Sequence, residues 1–241
     1  MMIMIGTGHV FNIAEPISFI IKNYWPDAVL VEIDELRYNS LMSPKGEIEI
    51  TTDMPKVYRK AAKTQRAMSK ENGVESGGDM LAAIGSGKLV GAEIICIDKD
   101  IEQVMREWED EMSLIERVRM SMSSFSADHL PRRKVDSAHK DYSVHEREYT
   151  ENMRRRFPTL VRKLIDERND YMVDRIRDAA ERFDRIVVVV GDAHVEGICK
   201  GLADPSIRKI RLAELLDTES MGHIRNRIWN GEWTEKCRDE S

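Results

Sequence analysis

Four β-rich runs recur along the chain, each ending in glycine or a polar cluster: Met2 to Ile5, Ala28 to Ile33, Ala92 to Ile97 and Arg185 to Val190. Ile186 to Val190 is apolar at every position, the pattern of a strand covered on both faces. Ile207 to Leu212 reads as a weaker fifth strand. Between these runs the apolar spacing becomes helical. Helices are expected from Pro16 to Tyr24, from Met54 or Pro55 to about Ser69, and after Gly77-Gly78, with Met80, Leu81, Ile84 and Leu89 turned towards the core. Strands alternating with helices predict an α/β fold with a mainly parallel central sheet flanked by helices.

The central third departs from this rhythm. Ile101, Val104, Met105, Trp108, Met112, Ile115, Val118 and Met122 trace one long amphipathic stripe, read here as core packing. Ser123 to Tyr149 is polar, contains Pro131, and places His129, His139 and His145 in what reads as a loop or lid. A further helix is expected from Thr159 to about Phe183. Its row Leu160, Leu164, Arg168, Met172, Ile176 lies along one face, so Arg168 interrupts an otherwise apolar line. Residues 101–183 thus form a long helical insertion, with the lid, between the third and fourth core strands. Residues 1–217 are expected to make a single domain, and 218–241 a charged tail. Trp229 and Trp233 in that tail suit docking on the domain or on a partner, a second copy of the chain included.

Composition narrows the function classes. The 241 residues carry a formal net charge of -6, so no global positive field recruits nucleic acid. One candidate patch, Arg154 to Arg156 with Arg162 and Lys163, is interleaved with Glu146, Glu148, Glu151, Asp166 and Glu167. Cys96, Cys199 and Cys237 form no Cys-x-x-Cys pair, which argues against a zinc knuckle or a disulfide framework and for a reducing compartment. The N-terminal run lacks a basic leader, and no segment reaches the roughly 20 apolar residues of a membrane span. A cytoplasmic protein is expected.

In an open α/β sheet, ligands bind beyond the carboxyl ends of the strands. Those ends collect Gly6-Thr7-Gly8-His9, then Glu32 and Asp34, then Asp98 and Asp100, and finally Gly191, Asp192 and His194. The glycines suit a chain that turns off a strand with positive φ or close backbone approach. Two histidines and a carboxylate suit a divalent ion with open positions for water and substrate. A dinucleotide site is disfavoured, because the third glycine of that fingerprint would fall at Phe11. Neither a Gly-x-Ser-x-Gly elbow nor a Walker lysine occurs.

Several collinear blocks carry a resemblance: Gly6 to Val10, Val31 to Asp34 with Arg37-Tyr38, Gly78 to Ala83, Ile97 to Ile101, Ile165 to Asn169 with Tyr171-Met172, and Val190 to Ile198. Together they resemble the TraB family, which includes bacterial pheromone-shutdown proteins and is related to the animal Tiki proteases. The resemblance implies an α/β fold similar to erythromycin esterase and the ChaN haem-binding proteins. It places His9, Glu32, Glu167, Arg168 and His194 on the family's polar motif positions. Asp79 stands where glutamate is common and Asn169 where aspartate is common. Asp192 and Glu196 stand where a small residue and proline are usual. The expectation is a metal-dependent hydrolase, a peptidase acting on peptide or amide bonds that could limit a peptide signal. His9, His194 and Glu32 would hold a divalent ion (Mn, Co, Zn or Fe), Glu167 would act as general base, and Arg168 would stabilise an oxyanion. Two alternatives stand beside it: a metal-independent esterase-like hydrolase with a histidine base, and a non-catalytic regulatory protein that binds a peptide or haem.

Overall fold

The computed structural model of the chain describes residues 1–8, 11–43, 77–127 and 150–233, with isolated positions 59, 63, 67 and 73 between them. His9, most of the helix expected from Met54, and His129, His139 and His145 lie outside the described residues.

The apolar runs become five parallel strands: β1 (Met2–Thr7), β2 (Ala28–Val31), β3 (Glu93–Cys96), β4 (Ile186–Gly191) and β5 (Arg208–Ile210). Their order is β3-β2-β4-β1-β5. Side chains alternate between two buried faces, which explains the unbroken hydrophobicity of β1, β2 and β4. On one face Ile3, Ile5, Val29, Val31, Val187 and Val189 meet α1 (Ala14–Tyr24) and α3 (Gly78–Leu89). On the other, Met4, Leu30, Val188 and Val190 meet Met172, Val173 and Ile176 of α7 (Glu167–Ala180) and Val195 and Ile198 of α8 (Asp192–Leu202). Between α1 and α3 lies α2 (Glu35–Met42), which Asp34 caps through the Arg37 N–H at 2.8 Å.

The helical insertion between β3 and β4 is present, but its apolar stripe does not run through. Val104, Met105 and Trp108 of α4 (Ile101–Glu111) are buried, whereas Ile115 and Val118 of α5 (Leu114–Ala127) are 65% and 60% exposed. The chain leaves the helical region at Met112 (ψ 124°), so the rotational phase restarts and α5 presents Glu116 inward instead. Glu116 accepts four hydrogen bonds: from the N–H and hydroxyl of Ser113 (3.2 and 2.9 Å), and from the N–H and hydroxyl of Thr159 (both 2.8 Å). It thereby ties α5 to α6 (Pro158–Val161), which continues through a π-helical turn, Arg162–Asp166, into α7.

Burial pushes the Glu116 carboxyl upward in pKa, but the bonds from Thr159 and Ser113 outweigh burial and hold it below its ordinary value. A group whose folded pKa is depressed contributes stability above its unfolded pKa, near 4.3, and loses it as pH falls through the folded value. Glu116→Gln should therefore cost about 1–3 kcal/mol at pH 7, with a smaller difference from wild type below about pH 4, measured by thermal unfolding across pH.

After β5 the chain forms α9 (Leu212–Leu216) and α10 (Thr218–Trp229). Met221, Ile224, Ile228 and Trp233 are buried in the same cluster as α1, while Trp229 is largely exposed with its ring edge-on to Phe19. No helix among the described residues is long and apolar enough to cross a membrane.

Candidate functional site

Strand order and register assemble the polar rim. Val31 is level with Cys96 on one side and Val189 on the other, and Thr7 is level with Gly191. The residues that follow β3, β2, β4 and β1 therefore share one carboxyl edge. At the ends of β2 and β1 the alternation of side chains continues and sorts Glu32 and Thr7 by face. Glu32 follows the Ala28 and Leu30 face towards α7 and α8, and Thr7 follows the Ile3 and Ile5 face towards α3.

Arg168 is the centre of the first group and is 7% exposed. Its Nε and Nη2 donate to the two oxygens of Asp98, both at 2.8 Å, as a bidentate pair. Nη2 also donates to Glu32 Oε1. Nη1 donates to the Leu164 carbonyl at 2.9 Å, within the π-helical turn, and meets His194 Nε2 at 3.2 Å. All five guanidinium N–H groups are thus engaged. Burial disfavours the charge, but Glu32 and Asp98 outweigh it and raise the Arg168 pKa above its ordinary value. Arg37 adds a second, looser cation 3.5 Å from Asp98.

A guanidinium can only donate, so His194 Nε2 accepts and the ring proton sits on Nδ1, which donates to Asn169 Oδ1 at 2.6 Å. Glu32 Oε1 lies 3.3 Å from the same Nε2, and Glu32 Oε2 accepts the Gly191 N–H at 2.5 Å, at the positive end of α8. Gly191 has φ -56° and Gly6 lies within a strand, so the glycines serve close approach and not positive φ. A Cβ on Gly6 would fall 2.1 Å from Asp192 Oδ1, and one on Gly191 would fall 3.3 Å from Glu32 Oε2.

The other candidates are placed differently. Asp34 and Asp100 are helix caps, Asp100 accepting the N–H groups of Glu102 and Gln103. Asp79 accepts the Thr7 hydroxyl at 2.8 Å on the opposite face. Glu167, about 100° around α7 from Arg168, bonds Arg162 and Lys163 at 2.8 and 3.1 Å. Lys163 also bonds Glu107 and Glu111. Asp192 is held by Arg211. Cys96 ends β3 at this edge, but burial, followed by the charges of Glu35 and Asp34, pushes its thiol up to about 12, which leaves it unreactive at neutral pH.

Among the described residues no three His, Cys, Asp or Glu side chains converge as a metal site. The two closest donors, His194 Nε2 and Glu32 Oε1, already face a guanidinium that would repel a cation. The described donor set alone does not fit a divalent ion.

Sequence reasoning passed over Asn169, Thr7 and Arg211 as site residues. Asn169 was findable, since it neighbours Arg168 on the buried side of α7. Gly197, on α8, makes room for it: a Cβ there would fall 2.2 Å from Asn169 Nδ2. Gly197→Ala should displace Asn169 and free the His194 ring, read as a changed His194 Nδ1 resonance in ¹⁵N NMR together with a lowered Tm.

An uncharacterized protein of Methanocaldococcus jannaschii, MJ1365, is 26% identical over 211 residues, which cover 83% of this chain and 52% of the relative. The chain therefore spans about half the length of that protein. The family model of the TraB/PrgY/gumN proteins matches residues 1–205, a stretch that takes in the ends of β1, β2, β3 and β4. From its first strand through the helix that carries His194, the chain belongs to the TraB/PrgY/gumN family.

Proposed function

We propose that the chain is a hydrolase of peptide or amide bonds in which His194 moves the reacting proton. The observation that carries this reading is the His194 imidazole, fixed through Nδ1 by Asn169, with its Nε2 accepting from Arg168 and lying 3.3 Å from Glu32 Oε1. When Nε2 takes a proton from an attacking water, it stops accepting from Arg168 and carries a proton that Glu32 Oε1, 3.3 Å away, can accept as a hydrogen bond. The Arg168 Nη1–H released by that step turns to the oxygen that gains negative charge. The hydroxide so formed adds to the carbonyl carbon, and the imidazolium returns its proton to the departing amine. Burial of the set, with Glu32, Arg168 and His194 each at most 7% exposed, strengthens these electrostatic effects.

The 3.3 Å approach of Nε2 and Oε1 also favours a second form of the same reading. There His9 would complete a donor set with His194 and Glu32, while Glu167, the base expected from the sequence, would first have to leave Arg162 and Lys163. A divalent ion there would polarise the carbonyl and acidify its water. Hydrolysis of a mixed peptide and acyl-amide library, followed by mass spectrometry with and without exhaustive chelation, tests both. Cleavage that survives chelation supports the His194 route, and cleavage lost and restored by one ion supports the second. Absence of cleavage under every divalent supplement removes both.

A further inference from the structure

Gly6 and Gly8 of the first Gly-x-x-His motif and Asp192 of the second meet one short junction between β5 and α9. Asp192, 4% exposed in the second turn, receives Arg211 Nε on Oδ1 at 2.9 Å, Arg211 Nη2 on Oδ2 at 2.8 Å, and the Leu212 N–H on Oδ1 at 2.9 Å. Arg211 Nη1 reaches on to Glu196 at 3.2 Å, so both acidic residues flanking His194 in the motif are bound by one guanidinium. The first turn closes against the same place: the Gly6 backbone packs on Asp192 Oδ1, and the Gly8 Cβ position lies 2.8 Å from the Leu212 side chain. The junction is fixed in turn by the Glu214 carboxylate, which accepts the Arg211 N–H at 2.8 Å. Arg211 and Leu212 lie beyond residues 1–205, the part matched by the family model.

We infer that Arg211 and Leu212 are positioning residues that hold the two turns in register with each other, and that Asp192 serves this clamp and not substrate or metal. The physical reason is commitment. Both Asp192 oxygens are taken up by a bidentate guanidinium and a backbone N–H, and the carboxylate sits at the first turn of α8, two residues before His194. Moving Arg211 must therefore move the helix start that aims the imidazole. The inference rests on the reading that His194 is the reacting group, but its test does not need turnover.

The test compares Arg211→Met, Arg211→Lys and the double variant Arg211→Met with Asp192→Asn, each followed by thermal unfolding and by ¹⁵N NMR of the histidine rings. Arg211→Met alone strands a buried carboxylate and should lower Tm by roughly 10 °C. The double variant removes that charge and should recover most of the Tm. Its His194 Nδ1 and Nε2 resonances should nevertheless stay displaced from wild type, because the clamp is gone. Arg211→Lys, which keeps charge without the fork, should displace the same resonances in a folded protein and covers the case in which the methionine variants do not fold. Wild-type resonances in either folded variant would overturn the inference and leave Arg211 a stabilising residue only. Displaced resonances in a protein that hydrolyses nothing would uphold the clamp and sink the hydrolase reading instead.

Discussion

Arg168→Met should cost about 3–5 kcal/mol of folding stability and lower Tm by roughly 6–20 °C, the largest stability effect expected of any single substitution in the site. The magnitude follows from what is left behind. Asp98 and Glu32 would keep their buried positions, 5% exposed each, and lose the fork that now meets three of their four oxygens. Arg37, 3.5 Å from Asp98, offsets only part of that loss. Arg168→Lys keeps a charge but cannot bond Asp98 bidentately and also reach Glu32, so an intermediate Tm is expected. Adding Asp98→Asn and Glu32→Gln to Arg168→Met removes the stranded charges and should recover much of the loss. A melting curve for Arg168→Met that overlays wild type would show that the guanidinium is dispensable to the fold.

His194→Ala should leave the fold nearly intact and reduce kcat about 10²- to 10⁴-fold on any amide substrate the wild type cleaves, with KM little changed. The ring is buried, and its polar contacts run through its two nitrogens, to Asn169, Arg168 and Glu32. Asn169→Ala keeps the imidazole and removes only its orientation, so a smaller loss of kcat is expected. Steady-state kinetics on purified variants decides. A His194→Ala enzyme within about tenfold of wild type would exclude His194 as the proton carrier and return attention to Glu167 and to His9.

Much of this was legible in the chain because it depends on local pattern. The all-apolar run at Ile186 to Val190 could only be a strand covered on both faces, and it is β4 at the centre of the sheet. Arg168 broke an apolar row spaced by four, and its reason is a buried site. Other features needed information that lies outside any local window. The stripe through Ile115 and Val118 read as continuous because nothing in its spacing announces a helix that stops at Met112 and restarts out of phase. The glycines of both turns were recognisable as special, but only the packed structure shows that they admit the Asp192 and Glu32 carboxylates.

The sequence by itself determined the parallel α/β class, the rim of polar residues at the strand ends, and the identity of Glu32 and His194 as members of that rim, since these follow from periodicity and from where strands stop; periodicity marked Arg168 only as a break in its apolar row, and its place at the site was what the family resemblance implied. Strand order was decided by the tertiary structure alone. That β4 lies between β2 and β1, with Thr7 level with Gly191, sets the second turn against Glu32 and brings the first beside Asp192. The same is true of Arg211, whose partner lies 19 residues earlier. Strand neighbours are chosen by how whole faces bury against helices, and a buried guanidinium takes whichever carboxylates that burial brings to it; neither choice is encoded in the spacing of residues along the chain.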